Sequence, residues 1–228
     1  NRRSGTCISS TRGPVSSRRA GATRGLGHNY RMRPGLGPPR QRTASAMVLV
    51  NFGSGPYPLA GWINVDLDPA GRPEVVADLA CGLPFADGCA DAIFTEDFVA
   101  QLEPDALEYF LAECRRMLRP GGTLRVLTPD LARFARAYLD DPEHLIRIWT
   151  TAVGVPLPNG TAGDVFNLGM KLAGRWQYDV ETFTRVAARA GLDTAVSAYG
   201  ESRHPAMRGI DLRKPGEAIS MYLECTPR

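Results

Sequence analysis

Two apolar segments joined by a short glycine- and proline-rich turn are the strongest constraint on how this chain folds. Residues 48–52 form an apolar, β-branched run that ends at Gly53-Ser54-Gly55, and a second run at 63–68 carries Asp66. The residues between them, 56–62, contain two prolines and a glycine, which leaves no room for a full helix. The pattern predicts two neighbouring buried strands joined by a tight turn rather than by a helix.

The chain beyond residue 47 predicts an α/β fold. Residues 103–118 carry apolar side chains at helical spacing, and Pro120-Gly121-Gly122 ends that helix. Further helices are expected at 130–139, 143–153, 163–173 and 179–190. Further strands are expected at 74–79, 90–95, 123–127, 194–199 and 218–225. This order favours a mostly parallel seven-stranded sheet with helices on both faces and an antiparallel C-terminal strand at its edge.

Residues 1–46 form a separate segment of unusual composition. They contain ten arginines and no acidic residue, with little apolar periodicity, so we predict a disordered Arg-rich N-terminal extension. Three interpretations compete: an organelle-targeting segment, a basic arm that binds an acidic partner, or translation upstream of a start at Met47. The predicted folded domain therefore covers residues 47–228.

The charge and cysteine content of this domain exclude several classes of partner. Residues 47–228 carry 17 basic and 24 acidic side chains, which disfavours a nucleic-acid partner. The five cysteines of the whole chain, four of them in this domain, are scattered, with no C-x-x-C pair and no histidine at metal-ligand spacing. That usage favours reduced thiols, a cytoplasmic location and no bound metal. No apolar run reaches 18 residues, so no membrane span is expected, and the oligomeric state stays open.

The glycine turn and the acids after the next strands form a candidate nucleoside site. Glycines let a backbone approach a ligand, and Asp66 at a strand end can accept hydrogen bonds from both ribose hydroxyls. Asp78 can accept from an adenine amino group, and Leu79 can cover the ring. Without a helix after Gly55 a pyrophosphate lacks its main anchor, so the spacing favours S-adenosylmethionine over NAD or FAD. Taken singly, the glycines are also compatible with a plain turn between strands, and Asp78 is also compatible with a cap at a strand end.

A set of motifs over most of residues 48–130 carries a resemblance to a known family. The motifs are G-S-G, V-D-L-D, A-D-L, L-P-F-A-D-G-x-x-D, E-C-R-R-M-L-R-P-G-G-T-L-R and T-P-D-L. Together they resemble the class I methyltransferases, and more narrowly the type-11-like ones with a shortened first helix. The resemblance implies a Rossmann-like fold, S-adenosylmethionine as cofactor and methyl transfer to an acceptor, here expected to be a small molecule. The cofactor-binding residues it implies are Gly53, Ser54, Gly55, Asp66, Asp78 and Leu79.

Candidate catalytic residues follow the fourth and fifth predicted strands. Glu96, Asp97 and Asp130 should face the substrate cleft, although each also fits loop capping or helix N-capping. His204 is a further candidate, because its loop can cover the strand ends, with a plain surface position as the alternative. Where the resembled family often has E-H-x-x-E-H-L, residues 96–102 read E-D-F-V-A-Q-L and lack both histidines. Methyl transfer from a sulfonium needs a base only when the acceptor must lose a proton.

The same resemblance implies that residues 130–178 are an insert that covers the substrate. The candidate pocket residues there are Phe166, Asn167, Trp176, Gln177 and Tyr178. An ordinary core role is the alternative for the aromatic ones. Two other functions stay open. A nicotinamide-dependent reductase is disfavoured by the missing helix and the absence of a Tyr-x-x-x-Lys pair. A non-catalytic module that binds a nucleoside or a partner protein is favoured by the lost histidines, whereas the intact set of Gly53–Gly55, Asp66 and Asp78 argues against it.

Overall fold

A computed structural model describes residues 47–79 and 82–228 of the chain, and the Arg-rich extension predicted at 1–46 lies outside the described residues. The strands are β1 (Leu49–Phe52), β2 (Ile63–Asp66), β3 (Val75–Val76), β4 (Ala90–Glu96), β5 (Leu118–Pro129), β6 (Leu192–Val196) and β7 (Ser220–Pro227). The α-helices are α1 (Pro104–Met117), α2 (Leu131–Asp140), α3 (Pro142–Ile148), α4 (Ala162–Leu172) and α5 (Val180–Arg189).

The strands form one seven-stranded sheet in the order β3-β2-β1-β4-β5-β7-β6. β1 pairs in parallel with β2 and β4, and β4 pairs in parallel with β5. β7 pairs antiparallel with both β5 and β6. The predicted mostly parallel sheet is confirmed, with one correction: the antiparallel C-terminal strand lies one place inside the edge, which β6 occupies. The inner position suits β7 because its first six residues are all buried. β6 at the edge is mostly half-buried or exposed, with one buried residue.

The register of the parallel strands brings their carboxyl ends to one edge of the sheet. Phe52 at the end of β1 lies beside Val65 of β2 and Thr95 of β4. The residues that follow these strands therefore meet in space, although they are far apart in the chain. β3 is shorter than the predicted strand at 74–79, so Asp78 and Leu79 lie in the loop after it.

One face of the sheet packs against α1 and α5. The helical periodicity at 103–118 is confirmed by α1, whose Leu107, Phe110 and Leu111 are fully buried. Phe110 meets Phe52 of the sheet edge-on at a ring-centroid distance of 5.6 Å. α5 adds Phe183 to the same apolar core.

The opposite face is covered more lightly than the sequence predicts. Its buried cluster includes Trp62, Phe94, Met207 and Tyr222, and none of its described members lies in an α-helix. The cover comes from the turn after β1 and from a 3₁₀ helix at Pro205–Met207. The reason is the short turn between β1 and β2, which lacks the helix that would otherwise pack here.

The remaining helices, α2 to α4, form a third apolar cluster of their own. Leu145, Trp149, Ala162 and Val165 are buried in it, and Ile219 before β7 packs against it. α3 continues into a π-helical turn at Trp149–Val153, where the sequence predicts a single helix to residue 153. No helix among the residues that the structure describes is long and apolar enough to cross a bilayer.

A buried arginine on the sheet face opposite α1 and α5, here called the lightly covered face, binds the loop before β7. Arg125 of β5 is fully buried, and its Nε donates to Asp211 Oδ1 at 2.8 Å while Nη2 donates to Asp211 Oδ2 at 2.5 Å. Nη2 also donates to the carbonyl of Ala198, and Glu224 Oε1 lies 3.7 Å from Nη1. Because removal of one partner leaves the others charged and buried, the free energy of unfolding should depend strongly on Arg125.

We expect Arg125→Ala to lower the free energy of unfolding by about 3–5 kcal/mol, since Asp211 and Glu224 lose their buried partner. Urea unfolding followed by circular dichroism measures the change. Arg185→Ala, which breaks an exposed ion pair with Glu181, is the matched control and should cost at most about 1 kcal/mol. Equal effects of the two substitutions would show that the Arg125 network does not stabilise the fold.

Candidate active site

The turn after β1 adopts a conformation that requires glycine. Gly53 has a φ of 69°, and a Cβ added there would lie 2.6 Å from Cβ of Phe98. Gly55 has a φ of 48° and open space around its missing Cβ. The backbone N–H groups of Gly53 and Ser54 both donate to the carbonyl of Val65, which ties the turn to β2. The turn therefore places an exposed backbone next to the end of β2 without side chains in the way.

Asp66 holds this turn in place and keeps capacity to bind a ligand. Its Oδ2 accepts from the N–H of Gly55 at 2.8 Å, and its Oδ1 accepts from the N–H of Asp68 at 2.8 Å. A carboxylate offers about four lone-pair sites, so two remain for other donors. Asp66 is half-buried, which allows a ligand to reach it.

The six residues predicted to bind the cofactor line one cavity of about 810 Å³. They are Gly53, Ser54, Gly55, Asp66, Asp78 and Leu79. Leu79 is buried at the cavity wall, whereas Asp78 is exposed. The hydroxyl of Ser54 is buried in the same wall and makes no hydrogen bond with the residues that the structure describes. A buried hydroxyl without a partner is costly, so it marks a position where a bound ligand would supply the missing partner.

Glu96 and Asp97 at the end of β4 are engaged by the loop before β7. Glu96 accepts from the N–H groups of Leu212 and Arg213, at 3.1 and 2.8 Å. Burial raises the pKa of Glu96 above its usual value, and these two hydrogen bonds oppose the shift. Asp97 has a φ of 58°, and its Oδ2 accepts from Nη1 of Arg213 at 2.5 Å. Both acids line the large cavity, but neither is a free carboxylate.

A second, smaller cavity of about 290 Å³ adjoins the first under the layer formed by α2 to α4. We call it the helical chamber. Its lining is mostly apolar, with Trp149 of the π-helical turn and Phe134 of α2 among its walls. The residues that line both cavities are Asp97, Gln101, Val153, Arg213, Glu217 and Ala218. Asp97 and Gln101 occupy the positions of the two histidines in the family pattern E-H-x-x-E-H-L, so the departures from that pattern lie at the junction.

Asp130 lines the helical chamber and also acts as the N-cap of α2. Its Oδ1 accepts from the N–H groups of Ala132 and Arg133, at 3.0 and 3.2 Å. Its side chain is almost fully buried, and Arg133 Nε lies 3.3 Å from Oδ2. The capping alternative is therefore present in the structure, and a catalytic role for Asp130 stays a prediction.

His204 lies away from both cavities. It precedes the 3₁₀ helix at Pro205–Met207, and Met207 packs into the cluster on the lightly covered face. The loop around His204 thus covers a sheet face rather than the carboxyl ends of the strands, and the residue lines neither cavity. The structure does not bring His204 together with the other candidate catalytic residues.

Most of the predicted pocket residues of the insert also lie outside the helical chamber. Phe166 stacks on Phe134 at 5.3 Å between ring centroids, and Asn167 is exposed and donates to the carbonyl of Gly163. Trp176 is exposed and lines neither cavity. Tyr178 is in the core, where its hydroxyl donates to the carbonyl of Leu102 and burial raises its pKa. Gln177 is the exception, because it lines the chamber.

Sequence reasoning missed the residues that close the junction between the cavities. Arg213 and Glu217 lie in a charged loop, D-L-R-K-P-G-E, whose composition is that of an ordinary surface turn. Gln101 is the last residue of a 3₁₀ turn at Val99–Gln101 and carries no motif of its own. Only the departure from the family pattern at Asp97 and Gln101 pointed to this place. Among the described residues, no group of His, Cys, Asp and Glu is arranged to hold a metal ion.

Comparisons with known proteins agree with this geometry. Residues 62–126 match the family described as Methyltransferase domain, and no curated protein sequence matches the chain. The structure of mitomycin 7-O-methyltransferase MmcR superposes with a TM-score of 0.50 and 13% identity, over 80% of this chain and 49% of that one. The chain thus spans about half the length of that enzyme. A TehB-like methyltransferase from Corynebacterium glutamicum gives 0.45 and 16%, over 80% of each chain.

The sheet order and the cavity at its carboxyl edge define a Rossmann-like, class I methyltransferase fold. The family match covers residues 62–126, the part of the chain from β2 to most of β5, and it agrees with the resemblance that the motifs carry. S-adenosylmethionine is the cofactor of this class. The residues present fit it: a glycine turn and a half-buried acid face the cavity, and Ser54 offers an unpaired hydroxyl. The turn presents no helix N-terminus for a pyrophosphate, and this cofactor has none to bind.

The raised pKa of Glu96 predicts how substitution changes the pH dependence of stability. The folded chain holds the Glu96 proton more tightly than the unfolded chain, so the free energy of unfolding falls as pH rises through the folded pKa. Glu96→Gln cannot titrate. Relative to the wild type, its free energy of unfolding should therefore increase as pH rises from the usual glutamate pKa, about 4.3, through the raised pKa of the folded state.

Urea unfolding at a series of pH values measures this difference. Glu181→Gln on the exposed surface of α5 makes the same change in formal charge and is the matched control. A difference between wild type and Glu96→Gln that stays constant with pH, or changes in the wild type's favour, would contradict the expected effect of burial.

Proposed function

We propose that this chain transfers the methyl group of S-adenosylmethionine to a small-molecule acceptor bound in the helical chamber. The observation that carries the proposal is the shared wall of the two cavities, where Asp97 and Gln101 line both. A cofactor in the large cavity and an acceptor in the chamber would meet at this junction. Alignment of two bound reactants supplies much of the acceleration in a displacement of this kind.

The residues of the large cavity have the roles that the motifs predict. Asp66 would accept hydrogen bonds from the ribose hydroxyls, and the turn at Gly53-Ser54-Gly55 would allow close approach of the amino-acid end. Asp78 and Leu79 would hold the adenine. When bound, the cofactor supplies an electrophilic methyl group: the acceptor's lone pair forms the new bond to carbon while the carbon–sulfur bond breaks and its electrons stay on sulfur.

Removal of a proton from the acceptor falls to Asp97 rather than to Glu96. Both carboxylate oxygens of Glu96 accept backbone hydrogen bonds from the 212–213 segment. Asp97 uses Oδ2 for Arg213, which leaves Oδ1 to accept a proton at the junction of the cavities. Asp97 is also exposed, so a proton can pass to solvent.

The wider assignments follow from this proposal. The methyltransferase domain covers 47–228, with 130–178 as the part that covers the acceptor. The acidic balance of this domain supports a small molecule rather than a nucleic acid as the partner. A cytoplasmic location rests on the scattered cysteines, and a role for residues 1–46 stays among the three interpretations given above.

Cofactor binding to the full-length chain tests the proposal. We expect S-adenosylmethionine and S-adenosylhomocysteine to bind, and Asp66→Ala to weaken both by roughly 10- to 100-fold, since hydrogen bonds to a charged group contribute about 1.5–3 kcal/mol. Asp68→Ala, two residues along and outside the cavity, is the matched control and should bind as the wild type does. Isothermal titration calorimetry measures both affinities.

Two outcomes would replace the proposal. Tight binding of NADH instead of the sulfonium cofactor would indicate the reductase alternative. A folded chain that binds the cofactor but releases no S-adenosylhomocysteine with any member of a broad panel of phenols, amines, thiols and carboxylic acids would favour the non-catalytic module.

A further inference from the structure

Most of the side chains that line the helical chamber are apolar. The apolar side chains that form its walls are Leu131, Phe134, Leu145, Ile148, Trp149 and Ile219. Its volume of about 290 Å³ lies just below the usual range for small-molecule pockets, about 300–1,000 Å³. An acceptor that fills it must therefore be compact and must bury mostly apolar surface.

The charged groups of the chamber offer nothing to an anion. Its carboxylates belong to Asp97, Asp130 and Glu217, and among the described lining residues Arg213 is the one cation. The charge of Arg213 is paired with Asp97 through Nη1 at 2.5 Å, and its Nε donates to Ser220 Oγ at 2.5 Å. An acceptor carboxylate or phosphate would enter a chamber that has three acids in its wall and whose cation is already paired with one of them, so its charge is disfavoured there.

One polar group in the chamber lacks a partner. The Nε2 atom of Gln177 is buried and makes no hydrogen bond with protein atoms. An amide donor left unpaired in this way lowers the free energy of unfolding, whereas an acceptor oxygen within its reach would satisfy it. The chamber thus presents one neutral hydrogen-bond donor within a mostly apolar wall.

We propose, on the basis of the function proposed above, that the helical chamber selects a compact, largely apolar acceptor that carries no negative charge and directs an oxygen to Gln177. The apolar walls set the size and shape of the acceptor. The Asp97–Arg213 pair excludes anions, because it occupies the cation that would otherwise bind one.

A pair of near-isosteric probes that differ in charge tests this inference. 1-Naphthamide is neutral and has a carbonyl oxygen, whereas 1-naphthoate has the same skeleton and a negative charge. Each is titrated by calorimetry into the full-length chain, alone and saturated with S-adenosylhomocysteine. We expect naphthamide to bind at least about 10-fold more tightly than naphthoate, which corresponds to about 1.4 kcal/mol.

Two substitutions separate the contributions of charge and hydrogen bonding. Gln177→Leu should weaken naphthamide by roughly 3- to 10-fold, the loss of one hydrogen bond, and leave S-adenosylhomocysteine binding unchanged. Thr150→Leu, an exposed polar-to-leucine change beside the chamber, is the matched control. Asp97→Asn frees Arg213, so naphthoate should bind more tightly to this variant than to the wild type while naphthamide changes little.

The inference is overturned if naphthoate binds the wild type as well as naphthamide does, if neither probe binds, or if Asp97→Asn leaves the charge preference unaltered. Failure of the proposed function has a different signature. In that case S-adenosylhomocysteine does not bind to the wild-type chain, while the titrations into the chain without cofactor still report the preference of the chamber.

Discussion

The buried pair of Arg125 and Asp211 is the interaction on which the site depends most. It fixes the loop before β7 against the sheet face that lacks an α-helix. The same loop continues directly into Leu212 and Arg213, which bind the two acids at the end of β4. Burial of a charged pair lowers the free energy of unfolding unless hydrogen bonds compensate for the lost hydration. Here Arg125 also donates to the carbonyl of Ala198, and Asp211 also accepts from the N–H of Gly200. The geometry of the pair determines the path of the loop. The position of the junction between the two cavities therefore follows from an ion pair on the opposite side of the loop.

The cofactor side of the site is built with very few residues because the helix after β1 is missing. Asp66 replaces part of that missing structure by accepting the N–H of Gly55, so one carboxylate both shapes the turn and faces the ligand. Gly53 is packed against Phe98, which couples the turn to the segment after β4. The absence of the helix also leaves the second face of the sheet to be covered by loops. The missing helix after β1 thus accounts for the open cavity, for the loops that cover the second sheet face, and for the role of Arg125 in fixing one of those loops.

The acceptor side departs from the family pattern at the two positions that face both cavities. Asp97 and Gln101 stand where histidines are frequent, and Arg213 pairs with the first of them. A histidine offers a ring nitrogen as proton acceptor, whereas Asp97 offers the one carboxylate oxygen that Arg213 leaves open. The departure therefore changes what the junction can do chemically without removing the cavity beside it. The apolar walls of the helical chamber and the Asp97–Arg213 ion pair at its junction with the large cavity would together select an acceptor by its shape and charge.

The sequence alone determined the sheet, the α1 periodicity and the turn at Gly53-Ser54-Gly55 with Asp66, because apolar spacing and turn chemistry act over a few neighbouring residues. Only the tertiary structure decided which candidates meet. The loop that contains His204 covers a sheet face instead of the strand ends, and Tyr178 lies in the core, where its hydroxyl donates to the carbonyl of Leu102. The tertiary structure also joined Asp97 to Arg213 across 116 positions of the chain. Contacts of that separation depend on strand order, register and packing, which no local pattern in the sequence encodes.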